Sequence, residues 1–329
     1  MLARRIAIYY AWGRPVETGA PLDVIENRFP ALFESRRMLY PRFEELSDPS
    51  RFDQGIAGFL DHIMKQNFTE FVRLGDAVTG HPVVEIERVG EGGRLTPLRP
   101  DSLENIDTLV VISFDSLRTH QQATQPEIEF VRSFLSVPDH LVFIGPHHDI
   151  GEEDSGSHNE LVARQVADFL HHGDKTIPPR QGFGGFARSL LAGPGVPVEN
   201  RFGQHPASEP DDTPSPIDVD ASLDRLHLLS GVRAFNLHPH LPHFERMGDA
   251  LAKLDVLARQ KIDLAASPHP LTADGRSTFD ALLQSKPDTF EGTLLVGDAT
   301  LWSSTAGGVD SLKAFWTNIV RRPLRGDRR

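Results

Sequence analysis

The chain has 329 residues, enough for two domains or one large α/β domain. Its 46 acidic residues exceed its 34 basic ones, a formal net charge of −12 at pH 7 that argues against a protein gripping nucleic-acid phosphates. There is no cysteine, so disulfides, zinc–thiolate and iron–sulfur centres and cysteine nucleophiles are excluded. A hydrophobic share of 39% with 24% charged residues fits a soluble globule. No apolar run reaches the roughly 18 residues a membrane helix needs. The first residues lack a secretory core with a cleavage site, so the expectation is a cytoplasmic protein with no membrane or nucleic-acid partner.

In chain order, 5–12 reads as a short buried strand ended by Gly13 and Pro15. A helical insertion is expected over about 21–78, where Phe29, Leu32, Phe33, Phe59, Ile63, Phe68, Phe71 and Val72 recur at three- and four-residue steps. That apolar stripe suits packing on a sheet. It could also form a homodimer interface or, with Asn27, Arg28, Arg36, Arg37 and Tyr40, a lid over an anion. A strand at 82–87 follows. The run 108–114 is continuously apolar, as expected of a strand covered on both faces. A helix at 124–136, a second buried strand at 140–145 and a helix at 158–172 complete a βαβ signature, which implies neighbouring parallel strands. Beyond it come a short helix at 186–192, a short strand at 196–200 and an exposed loop at about 204–220, rich in Pro, Ser and Asp. A strand at 231–237, a helix at 246–259, a last buried strand at 293–297 and a last helix at 310–320 are then expected. The economical architecture is a single α/β domain over 1–329, with a doubly wound, mostly parallel sheet.

The strand at 140–145 with its turn, the run 106–135 and the ending 292–320 with Gly297-Asp298-Ala299-Thr300 resemble the class I glutamine amidotransferase-like superfamily, particularly its trehalose-utilisation (ThuA-like) branch. The resemblance covers about 100–170 and 290–320 and implies a flavodoxin-like, amidotransferase-like fold. Amidotransferases place a nucleophilic cysteine at the turn after the central strand. Here Pro146 and His147 stand about where that elbow would be, so glutamine hydrolysis through a thioester is out. The ThuA-like branch also lacks the cysteine and commonly carries a histidine near this turn.

In an open parallel sheet, ligands bind at the carboxyl ends of the strands. His147, His148 and Asp149 follow a strong strand there, and imidazole with carboxylate suits Zn, Fe, Mn or Ni, or acid–base work. A second cluster is His238-Pro239-His240, with His243 and Glu245. Pro239 favours an extended backbone, and alternation would set His238 and His240 on one side, within reach of one ion. Its spacing also resembles the first metal motif of cupins, an all-β fold that the βαβ run argues against. Asp298 follows the last strand and so faces the same rim. The glycine-rich turn 182–186 is a simple tight turn or an anion site at a helix start. No Gly-X-Ser-X-Gly elbow or His-Glu-X-X-His helix occurs.

These features predict a metal-dependent hydrolase, or an acid–base lyase or isomerase, acting on a small polar, sugar-like substrate. His147, His148, His238 and His240 would hold a divalent ion, with Asp149, Glu245 and Asp298 as catalytic carboxylates. The competing expectation is a catalytically silent fold member that binds a ligand or protein through the same rim. The single-site mechanism requires the two histidine clusters to meet in space.

Overall fold

The computed structural model describes residues 4–12, 65–90, 94–115, 121–147, 157–159, 162–163, 166, 183–238, 241–266 and 275–323. Within them, β1 (Ile6–Ala11), β2 (Val84–Glu87), β3 (Thr108–Ser113), β4 (Leu141–Pro146), β6 (Asp218–Val219), β8 (Leu254–Lys261), β9 (Thr278–Ser285) and β10 (Thr293–Gly297) form one eight-stranded sheet. Its order is β2-β1-β3-β4-β10-β9-β8-β6. The first five strands in that order are mutually parallel, and the last three continue the sheet with antiparallel pairings. The sheet is therefore mixed. β5 (Val198–Gln204) and β7 (Leu241–Arg246) make a separate antiparallel ribbon.

Every residue of β1, β3, β4 and β10 is buried, which is why these strands appear as unbroken apolar runs. Their alternate side chains feed two cores, one on each face of the sheet. Ile6, Ile8, Tyr10, Val110, Ile112 and Phe143 pack with α1 (Thr69–Thr79) and α5 (Val309–Arg321), through Phe71, Leu312, Phe315 and Trp316. Ala7, Tyr9, Leu109, Val111, Val142 and Ile144 pack with α2 (Gln125–Leu135) and α3 (Gly185–Ala192), through Phe130, Phe134, Phe186 and Leu190. No helix among the described residues is long and apolar enough to cross a membrane.

The second core contains a buried polar knot. Arg88 donates through Nε to Glu127 Oε1 and through Nη2 to Oε2, both at 3.1 Å, and through Nη1 to Gln121 Oε1 at 3.0 Å. Tyr9 Oη also donates to Glu127, at 3.1 Å. Burial pushes the Glu127 carboxyl up, but the Arg88 guanidinium and the Thr124 amide outweigh it and hold the pKa below its ordinary value.

Three expectations are corrected. The segment 231–237 is not a strand and joins no ladder among the described residues. The segment 246–259 is not a helix: only α4 (Ala250–Lys253) is helical, and β8 follows at once. The stretch 204–220 is no plain loop, because β6 and the bridges Pro206↔Ile262 and Ser208↔Pro214 tie it down. The expected insertion is described only from Lys65 onward, where a short 3₁₀ turn leads into α1; its lid and dimer readings otherwise lie outside the described residues.

Candidate functional site

β4 and β10 are parallel neighbours with Ile144 opposite Val296, so the residues that follow them, His147 and Asp298, leave the sheet side by side at its carboxyl edge. Gly145 permits the close approach. A Cβ there would lie 2.9 Å from Phe143 Cε1, 3.1 Å from Ala299 Cα and 3.2 Å from Val111 O, two of which are backbone atoms that cannot swing away.

His147 Nδ1 lies 2.9 Å from Asp298 Oδ2, and both side chains are at most 4% exposed. Asp298 Oδ1 accepts from the Thr300 amide at 2.8 Å and from the Thr300 hydroxyl. Burial pushes the Asp298 carboxyl up, but His147 and the Thr300 hydroxyl oppose it, and the net shift is downward. Asp298 is thus a carboxylate at neutral pH, which places a proton on Nδ1 of His147 and makes Nε2 the basic nitrogen. The His147 ring packs against Phe114 and Phe183, with centroids 4.8 and 5.6 Å away.

His238 joins the group. Its ring meets that of His147 edge to face, with centroids 5.0 Å apart and planes at 86°. Burial lowers its pKa, His147 lowers it further, and Asp298 only partly offsets them, leaving it at about 3. This imidazole is neutral across the physiological range. Thus His147, His238 and Asp298 come together, although 231–237 is not the strand expected to deliver His238. Glu245 sits outside the group on β7, ion-paired with Arg201 at 2.7 Å where both are partly exposed. His148, Asp149 and His240 lie outside the described residues.

Two asparagines brace the site. Asn236, fully buried, donates through Nδ2 to Thr300 O and Oγ1, both at 3.0 Å, and its Oδ1 accepts from the His238 amide at 3.1 Å. One side chain thereby fixes the backbone of His238 and the support of Asp298. Asn200 of β5 donates to the carbonyls of His147 and Phe183 and accepts from Arg188 at 2.8 Å. Neither follows from a sequence period, because both act through single hydrogen bonds to irregular backbone.

Asp115 also escapes a sequence reading, although it stands just past the apolar run of β3 on the same edge as His147. It accepts from the Phe186 amide at 2.9 Å and from the Ser113 hydroxyl, while Ser113 Oγ accepts from the Ala187 amide at 3.2 Å. These two side chains cap α3, whose own N-cap, Gly184, is in the left-handed conformation at φ 86°. The Phe186 and Ala187 amides at the start of α3 are therefore engaged by side chains. Burial raises the Asp115 pKa above its ordinary value despite those hydrogen bonds.

Among the described residues no cluster of three or more histidine, aspartate or glutamate side chains could hold an ion. Asp298 is already engaged by His147 and Thr300. No protein-family model matches the chain, and comparison with curated proteins finds no match.

Proposed function

We propose that the chain is an enzyme of acid–base chemistry, a hydrolase or a lyase or isomerase, acting on a small polar substrate at the carboxyl edge of the parallel strands. The observation that carries this reading is the buried His147–Asp298 pair at 2.9 Å. A carboxylate on Nδ1 fixes the imidazole's tautomer and orientation and stabilises the imidazolium that forms when Nε2 takes a proton. His238, held neutral beside it, can accept or donate a hydrogen bond without adding charge.

The strand order β2-β1-β3-β4-β10 matches the flavodoxin-like order 2-1-3-4-5 if β10 is counted fifth. That agreement supports the resemblance to amidotransferase-like, ThuA-like proteins. The resemblance puts Pro146 and His147 about where such proteins have their elbow, and the chain has no cysteine, so the chemistry proposed here does not use a covalent thioester.

A divalent ion is a second reading, favoured by the two imidazoles 5.0 Å apart. The described residues would offer it His147 and His238, and His148, Asp149 or His240 would have to complete the set. Such an ion would supply a water of lowered pKa.

The test is a screen of the purified protein on small polar esters, amides and sugar-like substrates, with metal analysis alongside. Any activity found should fall about 10²–10⁴-fold in His147→Gln and in Asp298→Asn. Activity that survives both variants overturns the dyad. Ligand binding that persists in both, without turnover in the parent, would instead identify a silent binding domain.

A further inference from the structure

Asp298 stands at the end of a chain of hydrogen bonds whose directions follow from the partners at each link. Asn236 is buried and its main chain is held at two points. Its carbonyl accepts from Gln260 Nε2 of β8 at 3.2 Å, and the next amide, that of Leu237, donates to Ala306 O at 2.7 Å. The side-chain amide of Asn236 cannot be turned round. The Thr300 carbonyl, 3.0 Å from one end, can only accept, and the His238 amide, 3.1 Å from the other, can only donate. Nδ2 must therefore face Thr300 and Oδ1 must face His238. Reversal would set donor against donor and acceptor against acceptor in a buried site, where unmade bonds are costly.

The same Nδ2 also donates to Thr300 Oγ1, at 3.0 Å. A hydroxyl has one proton, and with a lone pair facing this N–H the proton is turned away from Asn236. The acceptor it meets is Asp298 Oδ1. Oδ1 thus takes two bonds, from the Thr300 hydroxyl and from the Thr300 amide at 2.8 Å, while Oδ2 faces His147 Nδ1 at 2.9 Å. Each donor on a carboxylate stabilises its charge and weakens its attraction for the next proton. The Thr300 hydroxyl and the His147 ring therefore compete for one carboxylate.

We propose that Asn236 and Thr300 are positioning residues that set the strength of the His147–Asp298 hydrogen bond. By forcing the Thr300 hydroxyl onto Oδ1, Asn236 keeps Asp298 a moderate acceptor, so the shared proton stays on Nδ1 of His147. A carboxylate released from Thr300 would pull harder on that proton, and Nε2 would become a stronger base but a poorer acid. A catalyst that must both take a proton and return it works best between those extremes. This catalytic consequence rests on the acid–base reading above; the polarity of the hydrogen bonds does not.

Proton NMR of the full chain at neutral pH tests this. In Thr300→Val, close to threonine in shape but without the hydroxyl, the low-field Nδ1 proton of His147 should move further downfield, because Asp298 pulls harder on it. Thr300→Ser, which keeps the hydroxyl, should leave the signal at its parent position. Asn236→Ala, which frees the hydroxyl to turn, should move it in the same direction as Thr300→Val and less far. An upfield move or loss of the signal in Thr300→Val would show that the hydroxyl only props Asp298 in place, and no movement would show that it does not compete. Either result overturns the proposal, and so does a serine variant that behaves as the valine one does. Movement in Thr300→Val with none in Asn236→Ala overturns the role given to Asn236. In the parent the Thr300 hydroxyl proton should itself be a protected low-field signal. Should the variants unfold, a parent lacking either low-field proton overturns the proposal, and one showing both upholds it. None of these measurements needs a substrate, so a parent without activity would sink the proposed function and leave the hydrogen-bond result standing.

Discussion

His238 carries a pH signature that can be worked out in sign. Its pKa falls from 6.5 to about 3 on folding, so between those values the unfolded chain binds a proton that the folded chain refuses. Stability then rises with pH across the window, by up to about 1.4 kcal/mol per pH unit from this residue, and is lost on acidification below about 6.5. Asp298 acts lower down: its contribution is present above the ordinary carboxylate pKa of 3.8 and disappears as pH falls through its depressed value. His140, His205 and His243 are also shifted down by burial and add to the slope with the same sign as His238. Urea unfolding between pH 6.5 and 4 should therefore show a shallower pH slope for His238→Gln than for the parent, but not a flat one. An unchanged slope would mean that His238 is protonated in the folded state. Gly145 gives a second test at this scale. Adding a methyl group against Val111 O and Ala299 Cα should cost about 1–3 kcal/mol and part His147 from Asp298. The low-field Nδ1 proton resonance of His147 should then vanish in Gly145→Ala, while survival of that signal would show that the turn can yield.

α2 begins with a capping box in which Thr124 Oγ1 accepts from the Glu127 amide and Glu127 Oε2 accepts from the Thr124 amide. The two residues are unequal in consequence. Thr124→Ala removes an exposed cap and should cost about 1 kcal/mol. Glu127→Ala also strands the buried Arg88 guanidinium and should cost about 3–5 kcal/mol. Thermal melts of both variants check the ratio, and equal losses would show that Arg88 finds another partner. The same helix explains how far the elements could be read from the amino-acid order. Pro126, the early acid and the apolar stripe mark α2, and the all-apolar runs mark β3, β4 and β10. The strands β8 and β9 were not legible. In β8 the register shifts between Val256 and Ala258 and again before Arg259, so Val256, Leu257 and Ala258 are all buried and the alternation that identifies a strand is lost. The three-residue step from Leu254 to Leu257 then mimics a helix. At the site, His147 and Asp298 were readable because each is the first residue past a buried strand. His238 stood out by its spacing. Asn200, Asn236 and Asp115 did not, since a buried polar residue is explained only by partners distant in sequence.

Across the whole molecule, two kinds of strand pairing differ in how far the chain must reach. β8 and β9 pair Leu254 with Ser285 and Lys261 with Thr278, so their contacts are local. β10 instead pairs Thr293 with Leu141, after a long excursion through α3, the ribbon and β8–β9. Closing the longer loop costs more conformational entropy, and long-range pairings form more slowly. Pulsed hydrogen exchange during refolding should protect the amides of β8 and β9 before those of β10 and its partner edge on β4. Simultaneous protection would show that the sheet condenses in a single step.

The separation of 151 residues between His147 and Asp298 has a further consequence for a chain made from one end. While a ribosome is still adding the residues in between, β4 has emerged with β3 on one side and nothing on the other. Its fully apolar row Leu141–Ile144 is then an open edge, the kind that recruits strands from other chains. The nascent polypeptide thus carries this open edge and its unaccompanied histidine for the same interval, and both are retired by one event, the arrival of β10. The interval in which that edge stands open is the one in which pairing with a foreign strand competes with the native fold.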